Sequence, residues 1–111
     1  MITDQMTEKT IEIAKDFSRF PGGRVRSDGP YSGEVFREDF LLPALNSHDK
    51  VTVKIDGVIG YGSSFLEECF GGLVRRGQSV DQLKQKLHLV YDDPVYEMYE
   101  GEIWEYIEAA S

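Results

Sequence analysis

Val51-Thr52-Val53-Lys54-Ile55, then Gly60-Tyr61-Gly62, then Ser63-Ser64-Phe65-Leu66-Glu67-Glu68-Cys69-Phe70-Gly71-Gly72-Leu73: this stretch decides the fold. Its first five residues are rich in β-branched side chains and read as a strand, with Val58-Ile59 extending the apolar run. Gly-Tyr-Gly then turns the chain. Ser64-Phe65-Leu66-Glu67 has the form of a capping box, in which hydroxyl and carboxylate each reach a free amide at a helix start. Phe65, Leu66, Cys69, Phe70 and Leu73 recur on one helical face. Arg75 and Arg76 suit the negative end of that helix, and Gly77 suits a left-handed exit.

Upstream, Thr10-Ile11-Glu12-Ile13-Ala14-Lys15 alternates apolar and polar as a half-buried strand does, after a start over residues 1–9 expected to be flexible. Breakers follow at Pro21-Gly22-Gly23 and Asp28-Gly29-Pro30. Arg24-Val25-Arg26 between them reads as a short strand that forms a hairpin with the first. Ser32 caps a predicted helix from Gly33 to about Leu42, with Val35, Phe36 and Phe40 buried and Glu34 in its first turn. Pro43 is expected to end or bend it.

Downstream, Ser79 to Lys86 reads as a short helix and Leu87-His88-Leu89-Val90-Tyr91 as a third core strand. Asp93 is the natural cap of a last helix that opens with Pro94 and runs to about Ala109. Val95, Tyr99, Ile103, Tyr106, Ile107 and Ala110 are expected to face inward, with Glu97, Gly101, Glu105 and Glu108 outward. The alternation of strand and helix predicts an α/β domain. Its sheet would be mixed and mostly parallel, of about four strands, with helices packed on it and right-handed crossovers.

The 111 residues favour one domain and carry a net charge of −8. Seven acids and no Lys or Arg lie between Asp92 and Ser111, so the rest of the chain is nearly neutral. An acidic face repels phosphate and anionic lipid, so neither nucleic acid nor a membrane is an expected partner. No stretch has the apolar length of a membrane span, and the first twenty residues lack the pattern of a secretion signal. Cys69 is the single cysteine and cannot form an internal disulfide, which suits a reducing cytoplasm.

Residues with catalytic or metal-binding potential are sparse. His48 sits in a polar loop and His88 in a strand pattern, and neither has a partner at zinc-ligand spacing. Gly60-Tyr61-Gly62-Ser63-Ser64-Phe65 places Phe65 where a dinucleotide loop needs its third glycine. The phosphate-loop lysine and the glycines of a nucleophile elbow are absent from it as well. Cys69 on the apolar face reads as a core residue. No catalytic residue, cofactor or metal site is expected, and the chain is expected not to be an enzyme.

Two segments stand out together: Pro21 to Arg37 with its paired glycine turns, and Gly60 to Leu73. Together they resemble the STAS-like family of bacterial proteins, whose members are similar to the sulfate-transporter and anti-sigma-factor-antagonist domain. The resemblance covers about Ile11 to Ala109. It implies a regulatory, protein-binding module. In anti-sigma-factor antagonists a strand ends in an Asp-Ser-Ser-Gly turn whose first serine is phosphorylated by an ATP-binding, kinase-like partner. Gly62-Ser63-Ser64-Phe65 occupies the matching place. Ser63 thus carries over as the phosphorylated serine and Ser64 as the helix cap, while Gly62 and Phe65 depart from the aspartate and glycine of the pattern.

Gly60, Tyr61, Gly62, Ser63, Ser64 and Phe65 are therefore the candidate partner-binding loop. Gly22, Gly23, Arg24 and Ser32 are its candidate neighbours. A phosphate on Ser63 would add about −1.5 to −2 charges at a helix start, where free amides can hold it. Alternatively, the two hydroxyls serve only to satisfy those amides. Gly71-Gly72 implies a close neighbour, expected within the fold. Arg24, Arg26 and Arg37 are expected to form ion pairs with acids such as Asp28 or Glu34. A second reading is an acidic inhibitor or mimic, as phages encode, that occupies a basic groove through Glu97, Glu105 and Glu108.

Overall fold

The computed structural model describes residues 6–111. Strands β1 (Glu8–Glu12), β2 (Lys50–Lys54) and β3 (Leu87–Val90) pair in the order β1-β2-β3. Both pairings are parallel, with Ile11 opposite Val53 and Val53 opposite Leu89. Side chains alternate across a strand. Ile11, Val51, Val53, Leu87 and Leu89 therefore share one buried face. Thr10, Glu12, Thr52, Lys54 and His88 lie on the other, none of them buried.

Among the described residues four helices, besides short 3-10 and π turns, complete the domain. Helix α1 spans 33–47 and α2 spans 63–75, each made of two α segments joined by a wider π turn, at Arg37–Leu41 and Glu67–Gly71. Helix α3 is Val80–Lys86 and α4 is Glu97–Ala109. The predicted face of α2 is fully interior: Phe65, Leu66, Cys69, Phe70 and Leu73 are each at most 1% exposed. At roughly 1.5–3 kcal/mol per large apolar side chain, that face is a main source of cohesion. Ile103 and Ile107 bring α4 onto it.

Some expectations hold at the level of single groups, others shift by a few residues. Ser32 Oγ accepts the Val35 amide at 3.3 Å, as expected of a cap. Asp93 accepts the Val95 amide at 3.0 Å, but it caps the 3-10 turn Pro94–Tyr96, and α4 starts only at Glu97. Ser79, expected as the first residue of a helix, is instead the cap outside α3 and accepts the Gln82 amide at 3.1 Å. Gly77 leaves α2 at φ 105°, the left-handed exit that glycine allows.

Others are corrected. Among the described residues the sheet has three strands, all parallel, rather than about four in a mixed arrangement. The expected hairpin strand at 24–26 is a turn. Asp28 takes the amides of Arg24 and Val25 at 3.0 Å each, and Arg26–Asp28 form a short 3-10 turn. Those amides are the donors a strand would have used. Strand β1 starts at Glu8 and ends at Glu12, so Glu8 and Lys9 belong to the sheet rather than to a flexible start, while residues 1–5 lie outside the described residues. Ile13–Phe17 form a π turn.

Pro43 neither ends nor breaks α1. The π turn places the Leu42 amide on Arg37 O, five residues back, and Pro43, which has no amide to place, is the second residue of the next α segment. Strand β2 stops at Lys54 rather than running on to Ile59, because Asp56-Gly57 turns the chain, with Gly57 at φ 83°. Val95 is 61% exposed, since Pro94–Tyr96 is a 3-10 turn that breaks the register of α4.

Candidate functional site

Parallel strands end at one edge of a sheet, so the segments after β1, β2 and β3 gather at a single end. Ligand-binding residues of open parallel sheets concentrate there. The candidate loop, Gly60 to Phe65, belongs to this end.

Tyr61 is 8% exposed and donates its hydroxyl to Ile55 O at 2.8 Å, and burial raises its pKa. Phe65 is 1% exposed. These two anchor the loop from below, so the surface of the expected contact segment is carried by Gly62, Ser63 and Ser64, with Gly60 half-buried. The cap of α2 is Gly62 rather than Ser64, and no side chain caps this helix. Ser63 is its first residue and Ser64 its second, not the residue outside it and the cap. Leu66 is the first amide to find an intrahelical acceptor, Gly62 O at 3.1 Å. The amides of Ser63, Ser64 and Phe65 are thus the orphan donors of this helix, two of them on exposed residues.

The expected capping box is absent because its carboxylate is engaged elsewhere. Glu67 binds Arg24 at 2.6 Å and Arg75 at 2.7 Å. Arg75, then Arg24, holds the Glu67 carboxyl below its usual range. Arg24 also reaches Glu68 at 3.3 Å, so the glycine turn at 21–24 is tied to α2 beside the candidate loop. Within that turn Gly22 is exposed, and Gly23 has φ 93°, a conformation few other residues adopt. Ser32 is wholly buried. The Arg24 side chain thus brings this turn to α2, while Ser32, sealed in the interior, is not accessible to a partner.

The arginines do form ion pairs, with acids other than Asp28 and Glu34. Arg26 meets Asp39 at 2.7 Å. Arg37, 6% exposed, donates to Glu38 at 2.8 Å, to Glu68 Oε2 at 2.7 Å and to Glu68 O at 2.6 Å. That carbonyl lies in the π turn of α2, so the guanidinium satisfies backbone that the wide turn sets free. Burial opposes the Arg37 charge, but the two carboxylates outweigh it and hold its pKa above the ordinary value. Arg76 and Arg37 together hold the Glu38 carboxyl at about 2.

Gly72 has no side chain because the Arg37 guanidinium occupies that space, and a Cβ on Gly71 would lie 3.3 Å from Tyr106 O. The glycine pair thus serves contacts inside the fold. Cys69 is wholly buried, and burial pushes its thiol well above the usual range. His48 lies near Ala44 O at 3.1 Å and His88 near Gln85 O at 3.2 Å. Among the described residues no helix is long and apolar enough to cross a membrane.

The sequence reasoning missed three exposed apolar side chains at this same end: Phe20 at 70%, Ile59 at 68% and Val95 at 61%. The Ile59 amide donates to Arg19 O at 3.1 Å, which sets Phe20 and Ile59 on adjoining segments. Tyr96, next to Val95, donates its hydroxyl to Val58 O at 2.8 Å. A signal existed in Phe20-Pro21, Ile59-Gly60 and Pro94-Val95. An apolar residue beside a breaker has no periodic partners to bury it.

No curated protein and no solved structure matches the chain. A family model does, over residues 32–96, from the cap of α1 to the start of α4, and it is described as a STAS-like domain of unknown function (DUF4325). With more than half of its length matched, the chain belongs to that STAS-like domain family.

Proposed function

We propose that this chain is a non-enzymatic regulatory module that binds another protein through the Ser63 corner. In this reading, phosphorylation of Ser63 by an ATP-binding, kinase-like partner switches the contact. The observation that carries it is the unsatisfied start of α2. Ser63 and Ser64 are exposed on a helix whose remaining residues are locked by burial and ion pairs. Phe20, Ile59 and Val95 supply apolar area at the same end, as protein interfaces require. A phosphate on Ser63 would meet orphan amides and the positive end of the helix dipole, which supports the modified state without refolding. It would also set about two negative charges into a contact otherwise made by a hydroxyl and apolar side chains.

Capture of proteins from the native host with wild-type and Ser63→Asp chains tests the reading. A partner retained by the wild type and lost by Ser63→Asp is expected. The same partners at the same affinity on both would refute the switch.

The acidic-inhibitor reading has one supporting observation: Glu97, Glu105 and Glu108 are all exposed on α4. It requires that their joint replacement by Gln abolish binding, and that binding weaken steeply with salt. The Ser63 reading requires that the replacement leave binding nearly intact.

A further inference from the structure

Among the described residues strand β1 is an edge of the sheet, and its outer side borders a groove of about 610 Å³ between the strand and α1. Ile11, Phe40, Pro43 and Ala44 supply its apolar lining, and His48 stands at the α1 end. In a parallel ladder alternate residues turn both backbone groups to the same neighbour. Lys50 donates to Thr7 O at 3.0 Å, so residues 7, 9 and 11 of this strand serve β2. Glu8, Thr10 and Glu12 then turn their amides and carbonyls to the outer side. The Glu12 amide is taken by Asp16 at 2.8 Å, which closes that end of the edge. Thr10, with both groups directed outward along the groove, is the open position.

The chain itself displays a sequence that pairs with this strand. On the inner side, Glu8-Lys9-Thr10-Ile11-Glu12 lies in register with Lys50-Val51-Thr52-Val53-Lys54, each glutamate opposite a lysine and Thr10 opposite Thr52. The outer side presents the same row of Glu8, Thr10 and Glu12. A second copy is a poor occupant. Two β1 strands paired antiparallel about Thr10 would set Glu8 against the other copy's Glu12 twice, and like charges directly opposite destabilise a sheet.

We propose that the β1 edge is a strand-addition site for an extended basic peptide of a partner protein, of pattern basic-apolar-x-apolar-basic. The basic residues meet Glu8 and Glu12, and the apolar residues enter the groove beside Phe40 and Ala44. Backbone bonds to Thr10 supply affinity, and the groove and the two carboxylates supply specificity. The site is separate from the Ser63 corner and does not depend on it.

The probe is an acetylated, amidated KVTVK peptide titrated into the isotope-labelled full chain, with EVTVE as control. Saturable amide shifts confined to β1 and the groove face of α1 are expected, with exchange of the Thr10 amide slowed at least tenfold and binding weakened by added salt. Thr10→Pro removes only an outward amide, a change edge strands tolerate, so it should fold and bind at least tenfold more weakly. The double variant Glu8→Lys, Glu12→Lys should invert the preference between the two peptides. Equal binding of EVTVE to the unaltered chain, or unchanged binding by Thr10→Pro, would overturn the proposal. So would a Thr10 amide already slow to exchange without peptide, whether residues 1–5 or a second copy seen by sedimentation cover the edge.

Discussion

Helices α1 and α2 both carry serine at their start, Ser32 as the cap of one and Ser63 as the first residue of the other, both follow a parallel strand, and both contain a π turn, yet their first turns are opposites. At α1, Ser32 is sealed and its Oγ caps the helix, while Gly33 lies against α2 so tightly that a Cβ there would sit 2.6 Å from Phe65 O. At α2, Gly62 occupies the cap position, Ser63 and Ser64 face solvent, and no side chain takes the first amides. The fold consumes one serine-led start completely and leaves the other unfinished. A helix start that is both exposed and held rigid from behind is suited to a binding event that supplies the missing acceptors.

The sharpest way to break this contrast is to disturb the closed start. Gly33→Val should destabilise by roughly 3–5 kcal/mol, because the obstructing atom is backbone and cannot swing away. Chemical denaturation measures it, and a loss under 1 kcal/mol would mean the two helices are less tightly joined than the distances say. Arg37→Met should cost about 2–3 kcal/mol by leaving the Glu68 carbonyl unmet and its carboxylate with only the longer Arg24 contact. A neutral result would show that the ion pair is dispensable to the joint.

Smaller effects separate the serines themselves. Ser32→Ala should cost about 1 kcal/mol, the worth of a lost cap, whereas Ser64→Ala should stay within about 0.5 kcal/mol, since its hydroxyl caps nothing. Equal costs at the two positions would erase the distinction. The joint also predicts a pH dependence. The Glu38 carboxyl is held at about 2 in the folded chain by Arg76 and Arg37, below the 4.5 of a free glutamate. Its contribution is therefore complete above about pH 5 and is lost as the pH falls from about 4.5 toward 2. Glu38 is partly exposed, so solvent screening limits the change to about 1 kcal/mol. Denaturation midpoints at pH 6 and pH 3 should differ less in Glu38→Gln than in the parent.

Local signals were legible where the chemistry is local. The caps at Ser32 and Asp93, the exit at Gly77 and the apolar face of α2 follow from spacing alone. What escaped depends on partners far along the chain. Ser64 and Glu67 have the spacing of a capping box, but Arg24 and Arg75 claim the carboxylate. Arg24-Val25-Arg26 alternates like a strand, but the Asp28 carboxylate takes its amides. Pro43 signals a helix end, but the π turn before it, with the Leu42 amide on Arg37 O, carries the helix on through the proline. At the candidate corner, Ser63 is visible in the sequence, whereas Ile59 reads as part of an apolar run, Val95 as a helix face and Phe20 carries no signal beyond the breaker beside it, and all three emerge as surface only in three dimensions.

The most direct test joins stability to binding at Ser63. With a captured partner in hand, titration calorimetry on the wild type and Ser63→Asp, alongside their denaturation midpoints, separates a contact from a structural role. Unchanged midpoints with at least tenfold weaker binding of Ser63→Asp are expected from an open helix start that meets another protein. Equal affinity, or a fall in affinity only in step with a lost fold, would contradict it.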